Sequence, residues 1–128
     1  MEVPPPIGTV LRRSCVDCHS NNTAWPWYSY VAPVSWLVER DVEKGRRHLN
    51  FSRWYQYTLV DRSRLLADLA SAVKNHEMPL TQYTLVHRRA QLSDTERDLL
   101  YQWAREERKK VRAKIIQTSS AEKPAGNP

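Results

Sequence analysis

The two cysteines of the chain lie three positions apart and are followed at once by a histidine. The segment Cys15-Val16-Asp17-Cys18-His19 has the form C-x-x-C-H, which is the attachment signature of c-type haem. At this spacing two thiols reach the two vinyl groups of one porphyrin, and the adjacent imidazole is offered to the iron. The motif therefore predicts one haem c, bound covalently through Cys15 and Cys18, with His19 as the proximal iron ligand.

Two other chemistries use a C-x-x-C pair. A structural zinc site takes four ligands, so it would have to recruit His19 together with His48, His76 or His87, which are distant in the sequence. A thioredoxin-like dithiol needs a βαβ context, whereas the chain shows no alternating strand pattern. The helical pattern and the immediately following histidine favour haem over both alternatives.

Met78 is the only methionine besides the initiator, and it is the candidate for the second axial ligand of the iron. Pro79 biases Met78 away from helical geometry, so the thioether is expected to project from a loop. Met with His raises the reduction potential relative to two nitrogen ligands. The alternative is that Met78 fills a gap in the core. The competing ligands are His76, His48 and His87, of which His87 is the first to test and His76 is near enough to exchange with Met78.

Cationic and aromatic side chains are the candidates for packing around a cofactor. Haem propionates are anionic, so Arg46 and Arg47 are plausible clamps, although a basic pair is also favoured by the dipole at a helix C-terminus. Trp27 and Trp54 are predicted to contact the porphyrin, while core packing is the alternative for both. We expect residues 20–30, which mix turn formers with four aromatic rings, to form an irregular loop with buried rings.

Length and composition predict one domain with a thin aliphatic core. A chain of 128 residues fits a single domain, and five Trp and six Tyr supply much of its apolar bulk. Such flat rings often wall a pocket instead of filling a tight interior. A prosthetic group would complete this core.

Charge and targeting signals bear on partners and location. The formal charge of +6 suits an acidic redox partner, but no nucleic-acid motif accompanies it, so no nucleic-acid partner is predicted. The basic run 105–114 alternates with acidic and apolar residues, as a solvated helix face does. No segment has the roughly 20 apolar residues of a membrane span, and no signal-peptide pattern is present. If the protein is exported, we expect that an N-terminal targeting segment or anchor has been removed.

Apolar periodicity and capping residues predict an all-α fold. We expect a flexible segment over residues 1–7, a haem-binding cytochrome domain over 8–117 and a disordered tail over 118–128. The predicted helices are, in order, one from Gly8 or Thr9 into Cys18, one from Pro33 to Gly45, a turn around Trp54 capped by Asn50 or Ser52, one from Asp61 or Ser63 to Asn75, a short one from Thr81, and a final one capped by Ser93-Asp94-Thr95-Glu96.

An ordered series of motifs resembles the bacterial haem-binding domain family of c-type cytochrome-like proteins. The resemblance extends from about residue 10 to about residue 104 and is more specific than C-x-x-C-H alone. Its matching features are Cys15-Val16-Asp17-Cys18-His19-Ser20-Asn21, Thr23, Pro26-Trp27-Tyr28-Ser29, Ala32-Pro33-Val34-Ser35-Trp36, Asp41-Val42, Gly45-Arg46, Leu49-Asn50-Phe51-Ser52, Met78-Pro79, Tyr83, His87, Ala90 and Leu92-Ser93.

The resemblance implies a small cytochrome c-like helical domain wrapped around one covalently attached haem. It implies His19 as the proximal ligand and Met78 as the distal ligand. It also implies export to the bacterial periplasm or beyond, because c-type haem is ordinarily attached outside the cytoplasm, and family members often carry an amino-terminal anchor or signal.

These features predict an electron carrier more than a catalyst, with one-electron transfer at a His/Met-ligated iron. One alternative is a haem-based gas or redox sensor, in which Met78 is weakly bound and a gas takes its place. A second alternative is peroxidase-like chemistry, which needs an open iron with His76 or Glu77 as a distal acid-base group. No hydrolase or transferase constellation is recognisable.

Overall fold

The computed structural model describes residues 1–122, and this part of the chain is built from helices alone, without a strand. The all-α prediction is therefore confirmed. Three 3-10 helices interrupt the connections, at Trp27–Tyr30, Phe51–Gln56 and Arg88–Ala90. The α-helices are α1 (Pro5–Ser14), α2 (Val16–His19), α3 (Val34–His48), α4 (Leu59–Lys74), α5 (Thr81–Val86) and α6 (Asp94–Ala121).

Helix α1 begins earlier than predicted, at Pro5 and not at Gly8 or Thr9, so residues 5–7 are helical. The prediction was wrong because prolines at the first positions of a helix lose only N–H groups that lack an intrahelical partner. Ile7 is buried in the core, and the indole N–H of Trp103 donates to the carbonyl of Glu2 at 3.2 Å. The N-terminal segment thus packs against α6.

Helices α4 and α6 form the largest helix pair and carry most of the core. The apolar periodicity predicts one face of α4, formed by Leu65, Leu66, Leu69, Ala70 and Val73. Four of these residues are buried and Leu69 is partly buried against the core, so this prediction is confirmed. Helix α4 starts two residues before Asp61, because the Thr58 side chain caps it by accepting from the Asp61 backbone N–H at 3.1 Å.

The start of α6 is confirmed, with the Ser93 hydroxyl accepting from the Glu96 backbone N–H at 3.1 Å. Its end is not where the sequence suggested. Helix α6 continues to Ala121, so residues 118–121 of the predicted tail are helical and Glu122 is the C-cap, while the remaining residues of that prediction, 123–128, lie outside the described residues. Among the described helices, none is both long and apolar enough to cross a membrane.

Helix α3 runs through Gly45, its predicted end, and stops at His48. The following turn is as predicted, because the Asn50 side chain caps the Phe51–Gln56 segment by accepting from the Ser52 backbone N–H at 3.0 Å. Gly45 is therefore an interior helix position, where glycine costs about 1 kcal/mol relative to alanine. Its packing against α2, described below, gives the reason.

The loop of residues 20–30 is irregular as predicted, but most of its rings are not buried. Trp27 is 78% exposed and Tyr30 is 76% exposed. The Trp27–Tyr30 segment is a short 3-10 helix whose buried residue is Ser29. This small polar residue, and not a ring, faces inward, and its hydroxyl donates to the Pro26 carbonyl at 2.5 Å.

Candidate haem attachment site

The C-x-x-C-H motif forms a tight turn between α1 and α3, which we call the attachment turn (residues 15–19). Helix α1 ends at Ser14, and Cys15 breaks the helix before the single turn of α2. Backbone N–H groups of Cys18 and His19 both donate to the carbonyl of Cys15, at 3.2 and 3.0 Å. Both cysteines are free and partly buried. The turn therefore holds two thiols and one imidazole on a single turn of helix.

Gly45 allows α3 to lie directly on the attachment turn. A Cβ at this position would be 2.6 Å from the carbonyl oxygen of Cys18 and 3.1 Å from the Cys18 Cβ. Atoms at such distances overlap, so only a residue without a side chain fits. The role of Gly45 is thus a close backbone approach, and its predicted role as a helix stop was wrong.

His19 is oriented by the backbone carbonyl of Leu49, which lies 2.9 Å from Nδ1. A carbonyl oxygen only accepts hydrogen bonds, so Nδ1 carries the proton and Nε2 of the neutral ring keeps its lone pair. Burial lowers the pKa of His19, with hydrogen bonds to the backbone carbonyls of Leu49 and Gly45 opposing this effect. Burial thus favours the neutral imidazole, which is the form that ligates a metal. A carbonyl partner that fixes the tautomer is the usual arrangement around a metal-ligating histidine.

Burial also raises the pKa of both thiols. The pKa of Cys15 rises to about 12, because of burial first and the neighbouring Cys18 second. The pKa of Cys18 rises to about 11, because of burial and then the carboxylates of Asp17 and Asp41. Reactive dithiols have lowered thiol pKa values in electropositive surroundings. The pKa values of both thiols of the attachment turn are raised instead, mainly by burial, which argues against the thioredoxin-like alternative.

We expect both thiols of the haem-free chain to resist alkylation by iodoacetamide at neutral pH. With pKa values of about 11 and 12, the thiolate fraction should rise about tenfold per pH unit up to pH 10 without a plateau. Mass spectrometry should find Cys18 modified before Cys15. The same chain in denaturant is the reference, with an ordinary thiol pKa of about 8.5. Equal rates in the two states, at a pH where circular dichroism shows the native helices, would contradict the buried turn.

Arg46 binds the segment that follows the attachment turn. Its Nε donates to the Ser20 carbonyl at 2.9 Å, and its Nη2 donates to the Thr23 hydroxyl at 2.8 Å. The Thr23 hydroxyl in turn donates to the Asp17 carbonyl at 2.6 Å. Two of the three guanidinium nitrogens of Arg46 are therefore used within the protein, and its propionate role stays a prediction.

Arg47 pairs with Glu43 at 3.4 Å, with both side chains about two-thirds exposed. Both arginines line an open groove of about 890 Å³ along α3, which Arg53 also lines. Cys15, Cys18 and His19 do not belong to the lining of this groove. The structure thus places Arg46 between the groove and the segment after the attachment turn.

Met78 lies in the loop between α4 and α5, as predicted, and its side chain is partly buried. Its backbone N–H donates to the Ala72 carbonyl at 3.2 Å. Arg97 of α6 donates through Nη1 to the carbonyls of Val73 and Met78, at 2.5 and 3.2 Å. The backbone of Met78 is thus tied to both α4 and α6, while its thioether makes no hydrogen bond in the described structure.

The three competing histidines have different surroundings. His48 is exposed, with Nδ1 bonded to the Lys44 carbonyl at 3.1 Å. His76 is exposed and has a positive φ of 59°. His87 uses both ring nitrogens, because Nδ1 donates to the Tyr83 carbonyl at 3.3 Å and Nε2 accepts from the Tyr28 hydroxyl. His87 therefore has no free lone pair for iron unless the Tyr28 bond breaks.

The two tryptophans predicted to contact the cofactor lie in different environments. Trp54 is 5% exposed and belongs to the hydrophobic core, where its ring meets Tyr57 edge to face at 6.3 Å. Trp27 is on the surface and meets Tyr28 edge to face at 5.8 Å. Trp54 is thus a core residue, and Trp27 is a surface residue.

Sequence reasoning from the residues missed several groups that shape the site. They are the Leu49 carbonyl, the Arg97 guanidinium and the Tyr83 hydroxyl. The Tyr83 hydroxyl donates a hydrogen bond to Asp17 Oδ2 at 3.0 Å. Leu49, Tyr83 and Asp17 do stand in the motif series of the family resemblance, which was the available signal. Arg97 lies outside that series. Within residues 1–122, no three or more His, Cys, Asp and Glu side chains are grouped to hold a metal ion by themselves.

The residues present fit a covalently attached haem. The attachment turn offers two free thiols, a neutral imidazole with an available Nε2, and a glycine contact that leaves no room for a side chain between the turn and α3. In the haem-bound protein, Cys15 and Cys18 would form the thioethers and His19 would hold the iron.

Comparison with known proteins supports haem binding. The chain is 26% identical over 105 residues to cytochrome c peroxidase Ccp of Escherichia coli (strain K12), an alignment that covers 80% of this chain and 23% of that protein. The chain thus spans about a quarter of the length of this relative. No solved structure matches the chain significantly. The family described as "Haem-binding domain" matches residues 1–106, and the chain therefore belongs to the haem-binding domain family.

Proposed function

We propose that the protein is a mono-haem c-type cytochrome domain that transfers one electron at a time. Haem bound at the attachment turn supplies this chemistry by cycling between ferrous and ferric iron. Cys15 and Cys18 make the attachment permanent, His19 is the proximal ligand and Met78 the distal one. A fully ligated iron limits rearrangement during electron transfer, which suits a carrier better than a catalyst.

The orientation of His19 is the observation that carries this proposal. Leu49 fixes the tautomer that leaves Nε2 available, and burial favours the neutral ring. Phe51 lies edge to face against the imidazole, with ring centroids 6.4 Å apart. A histidine held in one tautomer, on the same turn as two free thiols, is prepared for an axial metal bond in a way that an ordinary core histidine is not.

Covalent attachment is the first test of this function. We expect protein made with c-type haem maturation to carry one haem that stays with the chain under denaturing mass spectrometry. Cys15→Ala and Cys18→Ala should each reduce the yield of attached haem, and the double variant should carry none, because the chain has no other cysteine. Wild-type protein that loses all its haem on denaturation would contradict the proposal.

Peroxidase-like activity is the second candidate, because the curated relative in E. coli is called a cytochrome c peroxidase. That reaction needs an open iron position and a distal acid-base group, for which His76 and Glu77 are exposed beside Met78. The chain spans 23% of that relative, so the relative's activity is only a hypothesis here. Peroxide turnover by the native protein, lost in a His76→Asn or Glu77→Gln variant, would favour this candidate over electron transfer.

A sensor function is distinguished by carbon monoxide. A weakly bound Met78 would let the reduced protein bind the gas rapidly, whereas a firmly bound Met78 would make binding slow. The loop backbone of Met78 is held by Arg97, which supports firm ligation and hence the carrier function.

We also propose that the protein is exported to an oxidising bacterial compartment, since c-type haem is ordinarily attached outside the cytoplasm. We further propose an acidic redox partner, which would suit the formal charge of +6.

A further inference from the structure

The segment after Met78 contacts the attachment turn through a side-chain hydrogen bond. Helix α5 begins at Thr81, three residues after Met78. From this helix the Tyr83 hydroxyl donates to Asp17 Oδ2 at 3.0 Å. Asp17 lies between the two cysteines, so this bond joins the loop of the proposed distal ligand to the turn of the proximal one.

His87 and Tyr28 strengthen the same contact. The imidazole of His87 stacks on the Tyr83 ring, with centroids 4.4 Å apart and an interplanar angle of 27°. The Tyr28 hydroxyl donates to His87 Nε2 and so ties the Trp27–Tyr30 segment to the stack. Asp17 also accepts from the Ala24 backbone N–H, through Oδ1 at 3.2 Å. Helix α5 and the loop of residues 20–30 therefore both contact Asp17, at the second variable position of the C-x-x-C-H motif.

The Tyr83 hydroxyl keeps its proton, and so can donate a hydrogen bond, over a wide pH range. Burial raises its pKa, and the charge of Asp17 and the hydrogen bond to it raise the pKa further. The phenol thus stays protonated throughout the neutral and mildly alkaline range. A hydrogen bond to a carboxylate is also stronger than one between neutral groups.

Arg97 of α6 also holds the backbone of Met78. Arg97 donates to the Met78 and Val73 carbonyls, and the Met78 N–H donates to the Ala72 carbonyl. These contacts fasten the loop to α4 and α6. The contact of Tyr83 with Asp17 is the corresponding attachment on the α5 side.

We infer that Tyr83 is a positioning residue for the distal ligand, which holds α5 on Asp17 and so keeps the Met78 thioether within reach of the iron. This inference rests on the proposed His19 and Met78 ligation. His87 and Tyr28 support Tyr83 in this role, because the Tyr28 hydroxyl occupies the Nε2 lone pair with which His87 could otherwise bind iron. Nothing in the C-x-x-C-H motif itself requires an acidic residue at position 17.

The test compares Tyr83→Phe with Tyr30→Phe in the haem-loaded protein. Both variants lose one phenolic hydroxyl, but Tyr30 is 76% exposed and makes no side-chain hydrogen bond in the described structure. The first readout is the rate of carbon monoxide binding to the reduced protein, which follows the fraction of molecules with Met78 displaced. The second is hydrogen exchange of the backbone amides of residues 81–87, which reports whether α5 is held.

We expect Tyr83→Phe to raise the carbon monoxide rate and the α5 exchange rate about tenfold or more, which is the effect of losing a hydrogen bond to a charged group. Tyr30→Phe should change neither. Asp17→Asn keeps an acceptor oxygen and should preserve much of the wild-type behaviour, whereas Asp17→Ala should resemble Tyr83→Phe. Combining Asp17→Ala with Tyr83→Phe should add little, because both changes remove the same bond.

Two results would overturn the inference. One is unchanged α5 exchange in Tyr83→Phe, which would mean that the hydrogen bond does not hold the helix. The other is faster exchange with an unchanged carbon monoxide rate, which would mean that α5 does not control Met78. Met78→Ala separates this failure from a failure of the proposed ligation: if Met78→Ala leaves the wild-type spectrum and carbon monoxide rate unaltered, the ligand assignment itself is wrong.

Discussion

Replacing Gly45 by alanine is expected to lower the free energy of unfolding by about 3 kcal/mol, in the range typical of an overpacked core. The new Cβ would lie 2.6 Å from the Cys18 carbonyl oxygen. Because this neighbour is backbone, it cannot rotate away, and α3 must separate from the attachment turn. The measurement is thermal unfolding of the haem-loaded protein, whose midpoint should fall by roughly 10 °C.

Gly8→Ala is the matched control for this substitution. Gly8 lies in α1, and a Cβ there would first meet the guanidinium end of Arg12, at 3.3 Å. This long exposed side chain can move, and alanine favours a helix over glycine by about 1 kcal/mol. We therefore expect Gly8→Ala to leave stability equal or higher. A Gly45→Ala protein that unfolds at the wild-type temperature would show that α3 does not press on the attachment turn.

Substituting Met78 by alanine is expected to have the largest effect on the iron. Loss of the thioether should convert a low-spin ferric spectrum to a high-spin one. Carbon monoxide should then bind the reduced protein without waiting for a ligand to leave. The reduction potential should fall by an amount on the order of 100 mV, because a thioether ligand favours ferrous iron. Optical spectra of both oxidation states and a potentiometric titration would measure these changes.

His76→Asn and His48→Ala are the controls for Met78→Ala. Asparagine is chosen at position 76 because it tolerates the positive φ of 59° found there. Both controls should keep the low-spin spectrum. If instead His76→Asn produces the high-spin form and Met78→Ala does not, the distal ligand is His76, and the reduction potential should then be that of a bis-histidine site.

Local signals in the sequence predicted the helices that have strong caps and clear apolar periodicity. Ser93 and Asn50 cap the segments that follow them, and the apolar face of α4 packs as expected. Boundaries failed where the first turn of a helix tolerated proline, or where packing outweighed a local preference. Pro5 starts α1 although prolines suggested a flexible segment, and Gly45 continues α3 although glycine suggested a stop.

The exposure of the aromatic rings was also beyond local reasoning. Trp27 and Trp54 are the same residue type, yet one is 78% exposed and the other 5%. Burial of a side chain depends on which other segments cover it, and no short sequence window contains those segments. The prediction that the rings of residues 20–30 are buried failed for this reason.

The sequence by itself determined which chemical groups are available, since C-x-x-C-H brings two thiols and an imidazole within five residues. Only the tertiary structure decided how that chemistry is prepared. The Leu49 carbonyl that sets the His19 tautomer is 30 residues away, and the Tyr83 hydroxyl that binds Asp17 is 66 residues away. Contacts between groups so far apart in the chain exist only after α3, α5 and the attachment turn have packed together, so no local pattern could reveal them.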